Sequence, residues 1–315
     1  VAVCLPNIPE AVFANYAINP RKEFKEVESR VNFFDPQDEV YARWRTDQER
    51  IRRSLDQQAN LILDYNPSGR DRLNLTTNLS FSPNLRSGYD LQTAMRDGSG
   101  VLDSTLRTQS ELEDDKLNLS VDLNYERKLK KEGATLKANT HYTFYELSRV
   151  QDGNTRYFDP AGAFIRDFPF ATDAFQDIDI LTGQVDFYTP VASGNFETGV
   201  RTSFIQSDSR IDYLDVDGTR PPFDIALSDR FSYEEAVYAA YASLNKDWDP
   251  WTLKVGLRAE QTEVRARSET LDEINRQSYL EWFPSLYLSR ALGEDQSLSL
   301  TYSRRLTRPN YQDLN

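Results

Sequence analysis

The chain has very few of the residues that build metal centres or covalent crosslinks. Its 315 residues include one cysteine, Cys4, and one histidine, His141. A lone cysteine cannot form an internal disulfide, and a chain without Cys/His clusters has no thiolate or imidazole metal site. No glycine-rich phosphate-binding loop is present either. We therefore expect neither a metal nor a cofactor.

Long apolar runs and clustered positive charge are also missing. No apolar stretch approaches the roughly 20 residues that a membrane-spanning helix needs. A spanning β-strand needs only about 10 residues, of which every second one contacts lipid, so a hydrophobic fraction of 39 % is compatible with a membrane barrel. The net charge of −13 argues against nucleic acid as a partner, because phosphates require clustered Lys and Arg.

Strict alternation of apolar and polar residues is the strongest positive signal. In residues 117–125 the odd positions are Leu, Leu, Val, Leu and Tyr, whereas the even positions are Asn, Ser, Asp and Asn. A second alternating run covers residues 134–144, and the polar turn 130–133 joins the two. Because successive side chains of a strand point to opposite faces, this pattern predicts an antiparallel hairpin with one apolar face and one polar face.

The same pattern recurs along the chain, with connections that alternate in length. Short turns are predicted at 66–69, 189–194 and 247–250, and long loops at 153–177 and 208–229. About ten strands result, which predicts an all-β fold: an antiparallel transmembrane meander β-barrel with periplasmic turns and extracellular loops, here a partial barrel. Strands longer than the globular norm and aromatics near their ends favour this over a soluble β-sandwich, which is the alternative.

The N-terminal part is the least informative region. Residues 1–56 are predicted to be an extracellular loop or a strand extension, and residues 57–315 the barrel segment. Residues 49–55 fit either one turn of amphipathic helix or the polar outer end of a strand, and we favour the strand. Residues 1–9 lack the basic segment, the apolar core and the initiator Met of a signal peptide, so we expect an internal piece of a longer chain.

Three segments near the C-terminal end carry the motifs of a known family. They are residues 253–262 (LKVGLRAEQT), 281–286 (EWFPSL) and 300–315 (LTYSRRLTRPNYQDLN). In order and spacing they resemble the outer-membrane β-barrel domain of TonB-dependent receptors, of the kind common in Bacteroidota. The resemblance implies uptake of a siderophore, glycan or peptide across the outer membrane of a Gram-negative bacterium. It also implies membrane lipid, a plug domain and TonB as partners of the full-length protein.

The motif residues are expected to serve the barrel scaffold rather than the ligand. Arg258 and Glu260 share one face, where a polar lumen would let Arg and Glu pair across adjacent strands. Arg304 and Arg305 are expected to point to opposite faces, and Pro309 to end the strand. The full set is Gly256, Arg258, Glu260, Thr262, Phe283, Pro284, Arg304, Arg305, Arg308, Pro309 and Tyr311.

Ligand contacts are predicted in the long loops, because loops held on a rigid scaffold carry specificity. The stretch 157–170 is unusually aromatic for a connection, which suits stacking on a ring-bearing ligand. The competing interpretation is that these rings pack on each other over the barrel mouth. The candidates are Tyr157, Phe158, Phe164, Arg166, Phe168, Phe170, Tyr213 and Arg220.

An enzymatic function is not predicted. His141 lies in mid-strand with no nucleophile or glycine-rich elbow beside it, and it shares its face with Asn139 and Thr143, as an ordinary lumen residue would. The main alternative to energised import is a passive porin-like channel or a surface-binding β-protein. A lipid-hydrolysing barrel is a third, weaker option.

Overall fold

A computed structural model describes residues 2–4, 10–192, 194–214, 228–293 and 295–306. Twelve strands form one sheet in which every strand pairs with its neighbours in sequence, and each pairing is antiparallel. No helix in the described part of the chain is long and apolar enough to cross a membrane. The strands are β1 Ala2–Cys4, β2 Glu10–Phe34, β3 Val40–Ser68, β4 Asp71–Asp97, β5 Leu102–Lys128, β6 Thr135–Phe158, β7 Phe164–Val191, β8 Gly194–Leu214, β9 Asp229–Trp248, β10 Trp251–Ser268, β11 Glu273–Ala291 and β12 Ser297–Ser303.

One face of the sheet carries a continuous apolar band. The band lies next to the end with the hairpin turns 69–70, 129–134 and 249–250, here called the proximal end. Cross-strand pairing joins its rows: Leu79 faces Leu119, which in turn faces Phe144. The band consists of Leu61 and Leu63 on β3, Leu75 and Leu79 on β4, Leu119, Val121 and Leu123 on β5, Tyr142 and Phe144 on β6, Leu181 and Val185 on β7, Val200 and Phe204 on β8, Tyr238 and Leu244 on β9, Val255 and Leu257 on β10, and Trp282 and Leu286 on β11.

Aromatic side chains mark both borders of the apolar band. On β9 Tyr238 stands at the distal border and Trp248 at the proximal border. Ten strand positions cover about 33 Å, or about 25 Å in height at a tilt of about 40°, which matches the lipid-facing band of a membrane barrel. At the proximal border the guanidinium of Arg290 lies 5.2 Å from the ring of Trp251, and Lys246 Nζ lies 5.5 Å from the ring of Trp248.

The opposite face is the concave side of the sheet. Most of the buried side chains lie on this face, including Ser87, Asp114 and Ile178, although no second layer covers it in the described structure. Burial without a second layer requires that the side chains of neighbouring strands converge, so the sheet curves towards this face. The apolar band is on the convex face, where Leu257 and Trp282 are 48 % and 50 % exposed. This arrangement contradicts the soluble sandwich, whose apolar face would be packed against another sheet.

The curved sheet is not closed. Within the described residues β1 pairs only with β2, and β12 pairs only with β11. The fold is therefore the predicted all-β antiparallel meander, but with twelve strands in an open wall rather than about ten.

The strands continue well beyond the apolar band towards the other end of the sheet, here called the distal end. Its hairpin turns include 35–39, 98–101, 159–163 and 269–272. The predicted long loop over 153–177 is wrong: β6 runs to Phe158, β7 begins at Phe164, and the pair is in register down to the band. Of the predicted loop 208–229, residues 208–214 are strand, and residues 215–227 lie outside the described part of the chain.

The N-terminal region also consists of strands. Residues 10–34 and 40–68 form β2 and β3, and β2 pairs with β3 along its whole length with one irregularity, between Phe33 and Phe34. Residues 49–55, for which a helical turn was an alternative, lie within β3. The position 56/57, at which the sequence suggested a domain boundary, falls inside the same strand. Rings of Phe33 and Trp44 pack 4.9 Å apart near the distal turn.

Candidate functional site

Aromatic side chains line the concave face of the distal end. They belong to β6, β7 and β8: Tyr157, Phe168, Phe170 and Tyr213, accompanied by Arg166. We call these five residues the distal aromatic surface. The guanidinium of Arg166 lies 4.2 Å from the centre of the Tyr157 ring, at the distance of a cation–π contact. The arrangement offers flat apolar rings and one cation to a molecule inside the curve of the sheet.

The strand pairing separates the predicted ligand-binding residues into two groups. Phe158 and Phe164 lie on the convex face, where their rings contact each other edge to face with centres 6.2 Å apart. They face away from the distal aromatic surface, and Phe164 is 59 % exposed. The last candidate, Arg220, lies outside the described residues.

A glycine makes room for one of these rings. Gly153 pairs with Phe170 across β6 and β7. A Cβ added at Gly153 would stand 2.4 Å from the Phe170 ring and 2.9 Å from Ser110 Cβ. Both distances are below van der Waals contact, so any larger residue would push the Phe170 ring out of its place. Gly153 therefore fixes the position of a ring in the distal aromatic surface.

A buried carboxylate lies on the concave face between the apolar band and the distal aromatic surface. Asp114 is 2 % exposed and accepts hydrogen bonds from Arg149 Nε at 2.8 Å and Arg149 Nη2 at 3.1 Å. Lys116 Nζ lies 3.1 Å from Asp114 Oδ2, the oxygen that also accepts from Arg149 Nη2. Burial alone would raise the pKa of Asp114, but the hydrogen bonds from Arg149 and Lys116 outweigh it and keep this pKa below its usual value. The carboxylate is therefore ionised and ties β5 to β6.

The motif residues of the C-terminal strands meet on the concave face. Arg258 Nε donates to Glu260 Oε1 at 2.5 Å, and Arg304 Nη2 donates to Glu281 Oε2 at 2.5 Å. Glu260 stands directly opposite Glu281. The predicted cross-strand Arg–Glu pairing is thus wrong for Arg258, which pairs along its own strand. The two arginines flank a facing pair of glutamates that would repel each other without them.

The remaining motif residues surround this network. Thr262 is completely buried beside Glu260, and Phe283 pairs with Arg258 while its ring lies 6.0 Å from the guanidinium of Arg304. Pro284 is on the convex face opposite Leu257. Gly256 lets Ser285 approach closely, since a Cβ at Gly256 would stand 2.8 Å from Ser285 Oγ.

The last motif residues follow β12. That strand ends at Ser303, so Arg304 and Arg305 lie beyond it and do not alternate within a strand as predicted. Arg304 reaches the carbonyl oxygen of Trp282 at 2.9 Å, whereas Arg305 is exposed. Arg308, Pro309 and Tyr311 lie outside the described residues.

His141 has two polar partners; strand alternation placed Thr143 on its face, but the sequence did not reveal Asp122. Its Nδ1 lies 2.7 Å from Asp122 Oδ1 on β5, and its Nε2 lies 2.8 Å from Thr143 Oγ1. Asp122 faces His141 in the strand register, and Thr143 is two positions along the same strand. A strand assignment alone could have found Thr143, but Asp122 required the register between β5 and β6.

No metal centre is visible in the part of the chain that is described: no group of three or more His, Cys, Asp or Glu side chains is placed to hold an ion. The concave face instead holds hydrogen-bonded amides and carboxylates. Asn74 Nδ2 donates to Asp64 at 2.9 Å, and Asn124 Nδ2 donates to Asn74 at 3.4 Å. The chemistry of this face is therefore that of a polar lumen.

Comparisons with known proteins identify one family. The model of the outer membrane protein β-barrel family matches residues 127–315. No curated protein matches the chain. Among solved structures, the outer membrane protease OmpT from Escherichia coli is 10 % identical over 95 % of this chain and 98 % of that chain, with a TM-score of 0.30. A TM-score this low does not establish a shared fold.

Proposed function

Because the chain belongs to the outer membrane protein β-barrel family, and so resides in the outer membrane of a Gram-negative bacterium with its apolar band in lipid, we propose that it is the barrel wall of a TonB-dependent receptor. The ligand would be a siderophore, glycan or peptide. A plug domain and TonB would be its partners in the full-length protein. The motifs at residues 253–262, 281–286 and 300–315 support this more specific function.

The observation that carries the proposal is the distal aromatic surface. A passive pore needs a polar lumen but no concentration of rings above the membrane, whereas a receptor needs a surface that retains one ligand. Phe168 and Phe170 are half-buried on the concave face and can stack on a ligand with little loss of side-chain entropy. Arg166 beside Tyr157 adds a cation for a polar or acidic group.

We expect replacement of both inner rings in the variant F168A/F170A to weaken ligand binding and uptake at least about tenfold, since burial of one Phe ring contributes about 1.5–3 kcal/mol. The measurement is growth on siderophore, oligosaccharide or peptide supplied as the sole source of iron or carbon, followed by binding of the ligand so identified. The matched control is F158A/F164A, which removes two rings from the convex face of the same hairpin. Equal loss in both variants would contradict recognition by the concave face.

The same growth assay separates import from passive diffusion. Energised import should stop in cells that lack TonB or whose proton-motive force is collapsed. A porin-like channel would continue to admit small solutes under both conditions, at rates set by solute size. Uptake that is independent of TonB would overturn the proposal while leaving the membrane barrel intact.

We also propose that the chain is not an enzyme. Thr143, His141 and Asp122 have the order of a nucleophile, a base and an orienting carboxylate. Hydrolysis also needs donors for the developing oxyanion. The backbone N–H groups of β5 and β6 are committed to ladders on both sides, so they are unable to serve. We expect no esterase or phospholipase activity, and hence no change in H141A. Hydrolysis of a fluorogenic ester that disappears in H141A would disprove this.

A further inference from the structure

Four basic side chains lie together on the concave face of β2 and β3. They are Arg21, Lys25, Arg50 and Arg52, which we call the concave basic cluster. In the strand register Lys25 stands directly opposite Arg50, and Glu23 stands opposite Arg52. Within the described residues, Glu23 is the only carboxylate that forms salt bridges with the cluster. Four positive charges against one negative charge leave a local positive excess in a chain whose net charge is −13.

The guanidinium groups of the cluster are incompletely hydrogen-bonded. Arg50 Nη2 lies 3.6 Å and Arg52 Nη1 lies 4.0 Å from the same oxygen of Glu23, beyond the usual hydrogen-bond distance. The Nε atoms of Arg50 and Arg52 are buried and have no hydrogen-bond partner. Buried donors are normally satisfied, so these two atoms call for an acceptor. Glu23 stands where such an acceptor would be but is too far away to hydrogen-bond either guanidinium.

Four other carboxylates of β2 and β3 lie on the opposite, convex face of the sheet. Glu26 faces Glu49 and Glu28 faces Asp47, all on the convex side of the same two strands. Glu28 and Asp47 are already paired on that face, with Arg30 and Arg45, so they do not neutralise the cluster. Direct opposition of like charges, as in Lys25 and Arg50, destabilises a sheet. An anion bound on the concave side would offset this repulsion between Lys25 and Arg50.

From these contacts we propose that the concave basic cluster binds an oxyanion-bearing ligand through its carboxylate or phosphate group. Arginine suits this role because its planar fork matches both groups with two parallel hydrogen bonds. Arg50 and Arg52 are two positions apart on one strand, about 6.6 Å, so one anionic group can contact both side chains. The inference depends on the proposed function in one respect, namely that the ligand reaches this face from outside the cell.

Binding of carboxyfluorescein to the protein purified from outer membranes in an uncharged detergent tests the proposal. Fluorescence anisotropy should show binding that inorganic phosphate displaces. In R50Q/R52Q the affinity should fall at least about tenfold, because charge-assisted hydrogen bonds are lost. In E23Q it should rise, because the competing carboxylate is gone. A cationic rhodamine of similar size should not bind at the same place.

The matched control is R43Q/R53Q, which removes the same charge from the same strand at two exposed positions on the convex face. This variant should bind carboxyfluorescein like the unchanged protein. Equal weakening in both double variants would indicate only a long-range field and would overturn the site, as would undiminished binding in R50Q/R52Q. Resistance to unfolding in SDS before heating verifies that each variant is folded. Because the assay needs no TonB, its outcome is independent of the transport test.

Discussion

Replacement of Val121 by arginine is expected to prevent most of the protein from assembling in the outer membrane. Val121 is in the middle of the alternating run Leu117 to Tyr125 on β5, between Thr77 and Tyr142 on the convex face. An arginine near the bilayer midplane of a β-barrel costs about 2–4 kcal/mol. The measurement is the fraction of protein in the outer-membrane pellet that migrates as a compact species before heating.

The control for this variant is the adjacent residue of the same strand. Ser120 points to the concave face and contacts Asn78, so Ser120→Arg places the same charge in the lumen. Asp122 is two positions further along that face and can pair with it, as Glu260 pairs with Arg258. We therefore expect S120R to assemble normally. Equal assembly of V121R and S120R would mean that the convex face does not contact lipid.

The apolar band was predictable because lipid imposes a simple pattern on the sequence of each spanning strand. Each strand that crosses the bilayer must present apolar residues at every second position. β5 obeys this rule over residues 117–125, and β6 obeys it over residues 136–144 except at Thr140. The hairpin predicted from these residues is confirmed. The family resemblance in the C-terminal strands is confirmed at the level of an outer membrane β-barrel family.

The distal strands were mistaken for loops because no lipid constrains them. Beyond the band the convex face is charged and the concave face is mixed, so the alternation that marks a strand becomes weak. In β7, Pro169 and the aromatic residues around it are typical of a loop, although Pro169 pairs with Asn154 in the sheet. Only the register between strands reveals that these residues continue the sheet.

The candidate site was only partly predictable, again because the sequence does not show the register between the distal strands. The sequence singled out the aromatic stretch 157–170 but could not tell that Phe158 and Phe164 face away from Phe168 and Phe170. The concave basic cluster was missed because β2 and β3 were not recognised as a strand pair. Once they are, the spacing of Arg50 and Arg52 places both on one face.

Removal of Arg149, one of the two positive partners of Asp114, is expected to have the second large effect, on the stability of the fold. In R149M the buried carboxylate keeps Lys116 but loses both hydrogen bonds from the guanidinium. Breaking a fully buried ion pair costs about 3–5 kcal/mol. Arg149 is 37 % exposed, so water screens the interaction and we expect about 2–3 kcal/mol. Urea titration in lipid vesicles measures this as a lower unfolding midpoint.

The variant D114L/R149M distinguishes loss of an ion pair from loss of packing. Leu85 is next to Asp114 in the register, and Leu112 and Leu147 are on the same concave face, so an apolar pair would find apolar neighbours. Replacement of both charged partners is often nearly neutral, because no charge stays buried without a partner. The double variant should therefore be more stable than R149M. If it is less stable, the remaining contact of Asp114 with Lys116 stabilises the wall more than a leucine at this position does.

The dependence of this effect on pH follows from the direction of the Asp114 pKa. Arg149 and Lys116 keep that pKa below its usual value, about 3.9 in an unfolded chain. A carboxyl group with a lowered pKa in the folded state stabilises the fold above the unfolded pKa and loses this contribution as the pH falls through the folded pKa. The midpoint difference between the unchanged protein and R149M should thus stay constant from about pH 8 to about pH 5. It should shrink as the pH falls below about 4, where the carboxyl is protonated first in the unfolded chain and, at lower pH, in the folded one. A difference that persists undiminished in acid would show that Arg149 stabilises the wall without the charge of Asp114.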